Sequence, residues 1–131
     1  MNRVYGYSVE ERLAVVEHIV NIAKESTKKG NITIVSTISH KLLMRDLARK
    51  ALLPFMEVYL KCSVETCAER DYKGHYKKAL SGELDNFIGV TEPYELSENP
   101  ELILDTEHIP INECSDILFK HALRFINGSI Y

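Results

Sequence analysis

Three short runs of strand length punctuate this chain: the β-branched NITIVSTIS (31–39), then FMEVYLKCS (55–63) and the apolar LILDT (102–106). Stretches of helical periodicity lie between them. Strands separated by helices imply parallel pairing and a three-layer α/β sheet. The order reads α-β-α-β-α-α-β-α. The first helix lies in SVEERLAVVEHIVNIAKESTKKG, where Ser8 and Glu11 make an S-x-x-E capping box and Gly30 supplies the stop. Periodicity returns over 40–53 and ends before Pro54; Ser63 N-caps a short helix; 112–126 is a last amphipathic helix closed by Asn127 and Gly128. Residues 81–101 are the long irregular part. At 131 residues, 45% hydrophobic and 27% charged, the chain suits one domain with a single core.

In an open α/β sheet, ligands sit at the carboxyl ends of the strands. That rule selects Ser39, the stretch from Ser63 to Asp71, and Asp105 with Thr106. Close behind the second strand comes DYKGHYKKALSGELDNFIGV (71–90), which with Arg70 gathers Lys73, Lys77 and Lys78 ahead of Asn86, Phe87 and Gly89. Four cations near a strand-end rim suit phosphate or sulfate as a lid at about 70–90, or else form a solvated helix face balanced by Glu69 and Asp71. Phe87 is an aromatic wall for a flat base or a loop side chain folded into the core. Ser39 either takes or relays a phosphoryl group or N-caps the following helix, and spacing favours the cap. Arg12, in the first turn of the opening helix, either reaches an anion there or pairs with Glu11 or Glu17.

Several chemistries are excluded. A net charge of −3, from 16 basic and 19 acidic residues, argues against a nucleic-acid footprint. No run approaches the length of a membrane span, and no signal peptide is visible, so a cytoplasmic protein is expected. Cys62, Cys67 and Cys114 form no C-x-x-C pair and are expected to be buried, reduced thiols. The histidines lack metal-ligand spacing, and no Ser-His-Asp set is discernible, so no metal site is expected. No G-x-x-x-x-G-K-[ST] loop is present to wrap a nucleotide's phosphates.

The chain resembles the adenylylsulfate kinases. The likeness runs from GYSVEER (6–12) to ENPELILDT (98–106) and is most specific in R-D-x-K-G-x-Y-K-K-A followed by G-E-x-x-N-F-x-G. It implies a P-loop-kinase-like parallel sheet and phosphorylation of the 3′-hydroxyl of adenosine 5′-phosphosulfate by ATP with Mg²⁺. It also implies roles. Tyr7 stands near the adenylylsulfate, Arg12 on its anionic part, Ile38 and Ser39 at the strand end beside it, Lys73 on it from the lid, and Asn86 and Phe87 beside the adenine. Ser39 matches the serine assigned as a phosphoserine intermediate in bacterial members, although direct in-line transfer needs no covalent step. Arg70 and Thr106 fall near the ATP.

The sequence departs from the family pattern in places. His40 and Lys41 follow Ser39 where the family often has S-P-[HYF], Leu42 stands where an arginine may follow, and Val15 replaces a frequent asparagine. The family's first strand and phosphate-binding loop, which precede GYSVEER, are missing. That strand lies at the centre of the sheet, so its loss is expected to expose the edges of 31–39 and 57–63 or to force them together. The expectation is therefore an N-terminally truncated kinase domain that is inactive alone. The alternatives are a non-catalytic sulfonucleotide-binding or assembly module, or a kinase of a related nucleotide. Association as a homodimer, or with a partner supplying the missing strand, fits an opened sheet.

Overall fold

A computed structural model describes residues 8–71, 73–82, 88 and 93–128. The chain divides into two compact units, Met1–Phe55 with Glu92–Leu96, and Met56–Thr91 with Ser97–Tyr131.

The first unit is a pair of helices. Helix α1 (Val9–Lys28) starts at Ser8, whose Oγ accepts from the Glu11 N–H at 3.2 Å and donates to the Glu11 carboxylate at 2.9 Å. Past its last turn, Gly30 at φ +86° accepts the left-handed backbone that other residues resist, and its N–H bonds Thr27 O at 2.9 Å. Helix α2 (Leu42–Ala51) packs against α1. Val16 and Val20 of α1 meet Met44 of α2, with Leu13, Leu47, Ala48, Ala51 and Leu52 around them. These positions recur every three or four residues on each helix, so one stripe of each is apolar and buries against the other. Met44 is the most deeply buried of them, at 1% exposure.

The second unit is built on a two-stranded parallel sheet. Strand β1 (Val58–Lys61) pairs with β2 (Leu102–Asp105) in the register Val58–Leu102, Tyr59–Ile103, Leu60–Leu104 and Lys61–Asp105. Leu102 and Leu104 point inward and Ile103 outward, as the two-residue period of a strand requires. Helix α5 (Ile111–Ile126) packs on β2 and buries Cys114. The short helices α3 (Val64–Glu69) and α4 (His75–Leu80) follow β1, so parallel pairing of β1 and β2 is reached through a long crossover. Ser63 caps α3 as expected, its Oγ accepting from Thr66 N–H at 3.2 Å.

The expected strand at 31–39 is not formed. The segment belongs to no sheet, and the pairing with 57–63 expected as one result of a missing central strand is not made among the described residues. Residues 31–38 are exposed, with Ile32 at 67%, Ile34 at 90% and Ile38 at 58%. β-branched composition favours extended backbone, but a strand exists only when a neighbour completes its hydrogen-bond ladder. Cys62 and Cys67 are half-buried rather than buried, while all three cysteines are free thiols as expected.

Because Met44 closes the helix-pair core, Met44→Ala is expected to cost about 2–5 kcal/mol of stability. Ile34→Lys on the unpaired run is expected to stay within about 0.5 kcal/mol. Urea denaturation of the two variants measures both.

Candidate functional site

Ser39 does not cap α2, contrary to the sequence expectation. The cap position is Lys41, which makes no side-chain capping bond. The first N–H of the helix, that of Leu42, donates instead to Glu95 Oε1 at 2.9 Å, from 53 residues away. Ser39 sits two residues before the cap with φ +43°, in the left-handed region that a serine enters only under constraint. Its carbonyl accepts from Arg45 Nη1 at 2.7 Å, and the next carbonyl, of His40, accepts from Glu95 N–H at 2.8 Å. Arg45 Nη2 also donates to Glu95 O, and its guanidinium lies 4.9 Å from the Tyr94 ring centre. His40 is buried at 1% exposure beneath this turn. Ser39 itself is half-buried, Ile38 exposed and Arg12 half-buried on α1.

The parallel register places the carboxyl ends of β1 and β2 side by side. Thr106, just past β2, donates from both its N–H (3.0 Å) and its Oγ1 (2.9 Å) to Lys61 O. Arg70, the residue that ends α3, donates to Thr106 O at 3.1 Å and Glu107 O at 3.4 Å, and lies 3.9 Å from Cys62 Sγ. The two residues expected on the ATP side are therefore brought together, with the Arg70 side chain exposed. Glu107 accepts from Ser63 Oγ at 2.6 Å and from Thr66 Oγ1, so the turn after β2 is pinned to the start of α3. These hydroxyls hold the Glu107 carboxyl below its ordinary range. Asp105 is lowered too, first by the His108 ring and then by the His108 and Glu107 N–H groups.

Asp105, Glu107 and His108 are the one metal-capable cluster among the described residues. They do not suit Mg²⁺. That ion takes oxygen ligands in near-octahedral geometry, whereas this cluster offers a nitrogen and two carboxylates already engaged in local hydrogen bonds.

Lys73, Lys77 and Lys78 are exposed around α4. Gly74 enters the helix at φ +72°, and Asp71 caps it, Oδ2 accepting from Lys77 N–H at 3.0 Å. Burial pushes the Asp71 carboxyl up, but the N–H groups of Lys77, Tyr76 and His75 outweigh that and hold it below its usual value. The Asp71 carboxylate thus serves the helix backbone. Behind α4, burial and a hydrogen bond with Cys67 push the Tyr76 hydroxyl up to about 12. Burial, then the hydrogen bond with Cys67, raises the Cys62 thiol as well.

Of the residues expected to bind substrate, Arg12, Ile38 and Ser39 belong to the first unit and Lys73 to the second, together with Arg70 and Thr106. Tyr7, Asn86 and Phe87 lie outside the described residues. Sequence reasoning missed Arg45, Glu95 and Glu107. Each acts across more than 40 residues of chain, and no local pattern marks such a pairing.

The second unit thus presents a parallel strand pair with polar carboxyl ends and a basic segment behind its first strand. The sequence matches the family model for adenylylsulphate kinase over residues 1–105. The chain belongs to the adenylylsulphate kinase family. It is 46% identical over 119 residues to a probable adenylyl-sulfate kinase of Aeropyrum pernix, an alignment covering 88% of this chain and 65% of that protein. It is 40% identical over 123 residues to an adenylyl-sulfate kinase of Staphylococcus epidermidis, covering 92% and 62% respectively. The chain therefore spans about three-fifths of these curated relatives. Among solved structures, the Mycobacterium tuberculosis APS kinase CysC in complex with AMPPNP and APS superposes with a TM-score of 0.76 at 29% identity, over 88% of this chain and 69% of that one.

The lowered carboxyls set an acid response. A carboxylate with a folded pKa below its unfolded value adds stability above the unfolded pKa, and that stability is lost as pH falls through the folded one. The urea midpoint is expected to fall as pH drops from neutrality through the carboxylate range. Glu107→Gln is expected to lower the midpoint at pH 7 and flatten that decline, as measured by urea titrations across pH.

Proposed function

We propose that this chain carries the adenylylsulfate side of a kinase that transfers the γ-phosphoryl group of ATP to the 3′-hydroxyl of adenosine 5′-phosphosulfate, giving 3′-phosphoadenylylsulfate in sulfate assimilation. The observation that carries the reading is the family match over residues 1–105, which takes in Arg12, Ile38, Ser39, Arg70 and Lys73. A structural relative bound to AMPPNP and APS supports the same pair of substrates.

In this reading Arg12 and Lys73 neutralise the anionic part of the sulfonucleotide, and Tyr7, Ile38, Asn86 and Phe87 shape the pocket for its adenosine. Ser39 stands at the reacting end, as a phosphorylated intermediate or as a neighbour of direct transfer. Arg70 and Thr106 face the ATP. Catalysis is positioning and charge neutralisation, because phosphoryl transfer asks little covalent chemistry of the protein. MgATP is the donor, and its metal is held outside the Asp105–Glu107–His108 cluster. No helix among the described residues is long and apolar enough to cross a membrane. With three free thiols and ATP as donor, the reaction is assigned to the cytoplasm. The exposed 31–38 run supports association with a second copy or a strand-supplying partner.

A second reading, a sulfonucleotide-binding module without turnover, is favoured by one observation: the 131 residues contain no G-x-x-x-x-G-K-[ST] motif. Two measurements test the readings. Calorimetric titration of the purified chain is expected to show adenylylsulfate binding, weakened roughly 10- to 100-fold by Lys73→Ala or Arg12→Ala, the scale of a charge-assisted hydrogen bond. Turnover of adenylylsulfate with MgATP by this chain alone is expected to be undetectable. A folded chain that binds no adenylylsulfate would sink both readings, and measurable turnover would sink the second.

A further inference from the structure

We propose that Arg45 is a positioning residue for Ser39, acting with Glu95 as a clamp that holds the serine in its left-handed backbone conformation. The inference deepens the reading of Ser39 as part of the sulfonucleotide site and rests on it.

A serine at φ +43° persists only where its surroundings over-determine it. Here separate tethers converge on three positions of the turn, Ser39, His40 and Leu42. Arg45 Nη1 holds the Ser39 carbonyl at 2.7 Å, the Glu95 N–H holds the His40 carbonyl at 2.8 Å, and Glu95 Oε1 holds the Leu42 N–H at 2.9 Å. Arg45 closes the ring by donating from Nη2 to Glu95 O. The planar guanidinium fork is suited to this, since it spans two carbonyls from chain segments 6 and 50 residues away while staying charged. Arg45 is only 8% exposed, both terminal nitrogens are engaged with carbonyls, and its face lies over Tyr94. It therefore acts through Ser39 rather than on a ligand.

The test uses the full 131-residue chain. Arg45→Lys keeps the charge but cannot span both carbonyls. It is expected to move the backbone chemical shifts of Ser39 and His40 while leaving those of α1 in place, and to weaken adenylylsulfate binding roughly tenfold. Glu95→Ala is expected to move the same signals, and Glu95→Gln, which keeps the oxygen that accepts from Leu42, to restore them. Ser39→Gly removes the strain without removing the clamp. It is expected to shift the unfolding midpoint more favourably in the Arg45 chain than in the Arg45→Lys chain, a difference that ordinary loss of packing would not produce. Ser39 and His40 shifts that stay unmoved in folded Arg45→Lys and Glu95→Ala chains would overturn the proposal. So would equal midpoint shifts from Ser39→Gly in the two backgrounds. If the unmutated chain binds no adenylylsulfate while the shifts and midpoints behave as expected, the clamp stands and the reading of the site fails.

Discussion

The parallel pairing of β1 with β2 is the constraint on which the second unit depends. In its register Lys61 stands beside Asp105, so the chain leaves both strands at the same end of the sheet. The polar contacts at these strand ends follow from that coincidence. The Lys61 carbonyl becomes the acceptor for Thr106, Glu107 reaches the hydroxyls of Ser63 and Thr66, and Arg70 reaches back to the carbonyls of Thr106 and Glu107. An antiparallel arrangement would send these ends apart and leave each group to water. The burial of Leu102, Leu104 and Cys114 between β2 and α5 supplies the apolar anchorage that keeps the register from slipping by one residue, which would turn Ile103 inward.

The same physics explains why 31–38 is not a strand. Each backbone N–H and C=O needs a partner, and a run without a neighbouring strand meets that need with water, which draws it to the surface together with its isoleucines. A row of exposed Ile32, Ile34, Val35 and Ile38 is the kind of edge that proteins ordinarily cover. Its composition is that of a sheet interior and its environment is solvent, a conflict between local preference and context.

What was legible in the sequence was local. Ser8, Gly30 and Ser63 were read correctly as caps because the bonds that define them span only three or four residues. The apolar stripes of α1 and α2 were legible for the same reason, since helical periodicity records which face is buried. The strand at 31–39 was misread because propensity reports a willingness to extend and says nothing about a partner. The start of α2 was misread because Ser39 looks like an N-cap, while the bond to the first helical N–H comes from Glu95. Of the site, Arg70 and Thr106 were placed together by the strand-end rule, whereas the residues that fix their surroundings were invisible until the chain was folded.

Ser39 shows how a displaced cap becomes a functional opportunity. Had its hydroxyl capped α2, its oxygen would be held by a helix N–H, poorly placed to meet a phosphoryl group or a ribose hydroxyl. By taking over the cap from a distance, Glu95 releases Ser39 from that duty, and by gripping the serine's carbonyl Arg45 fixes the backbone without touching the hydroxyl. A left-handed serine costs roughly 1–3 kcal/mol. The charge-assisted bonds of Arg45 and the neutral bond of the Glu95 N–H are each of comparable worth, so the turn can be held strained at modest net expense to stability. Under the proposed function, strain maintained by remote residues at Ser39 serves positioning, on which phosphoryl transfer depends more than on any chemistry the protein itself performs.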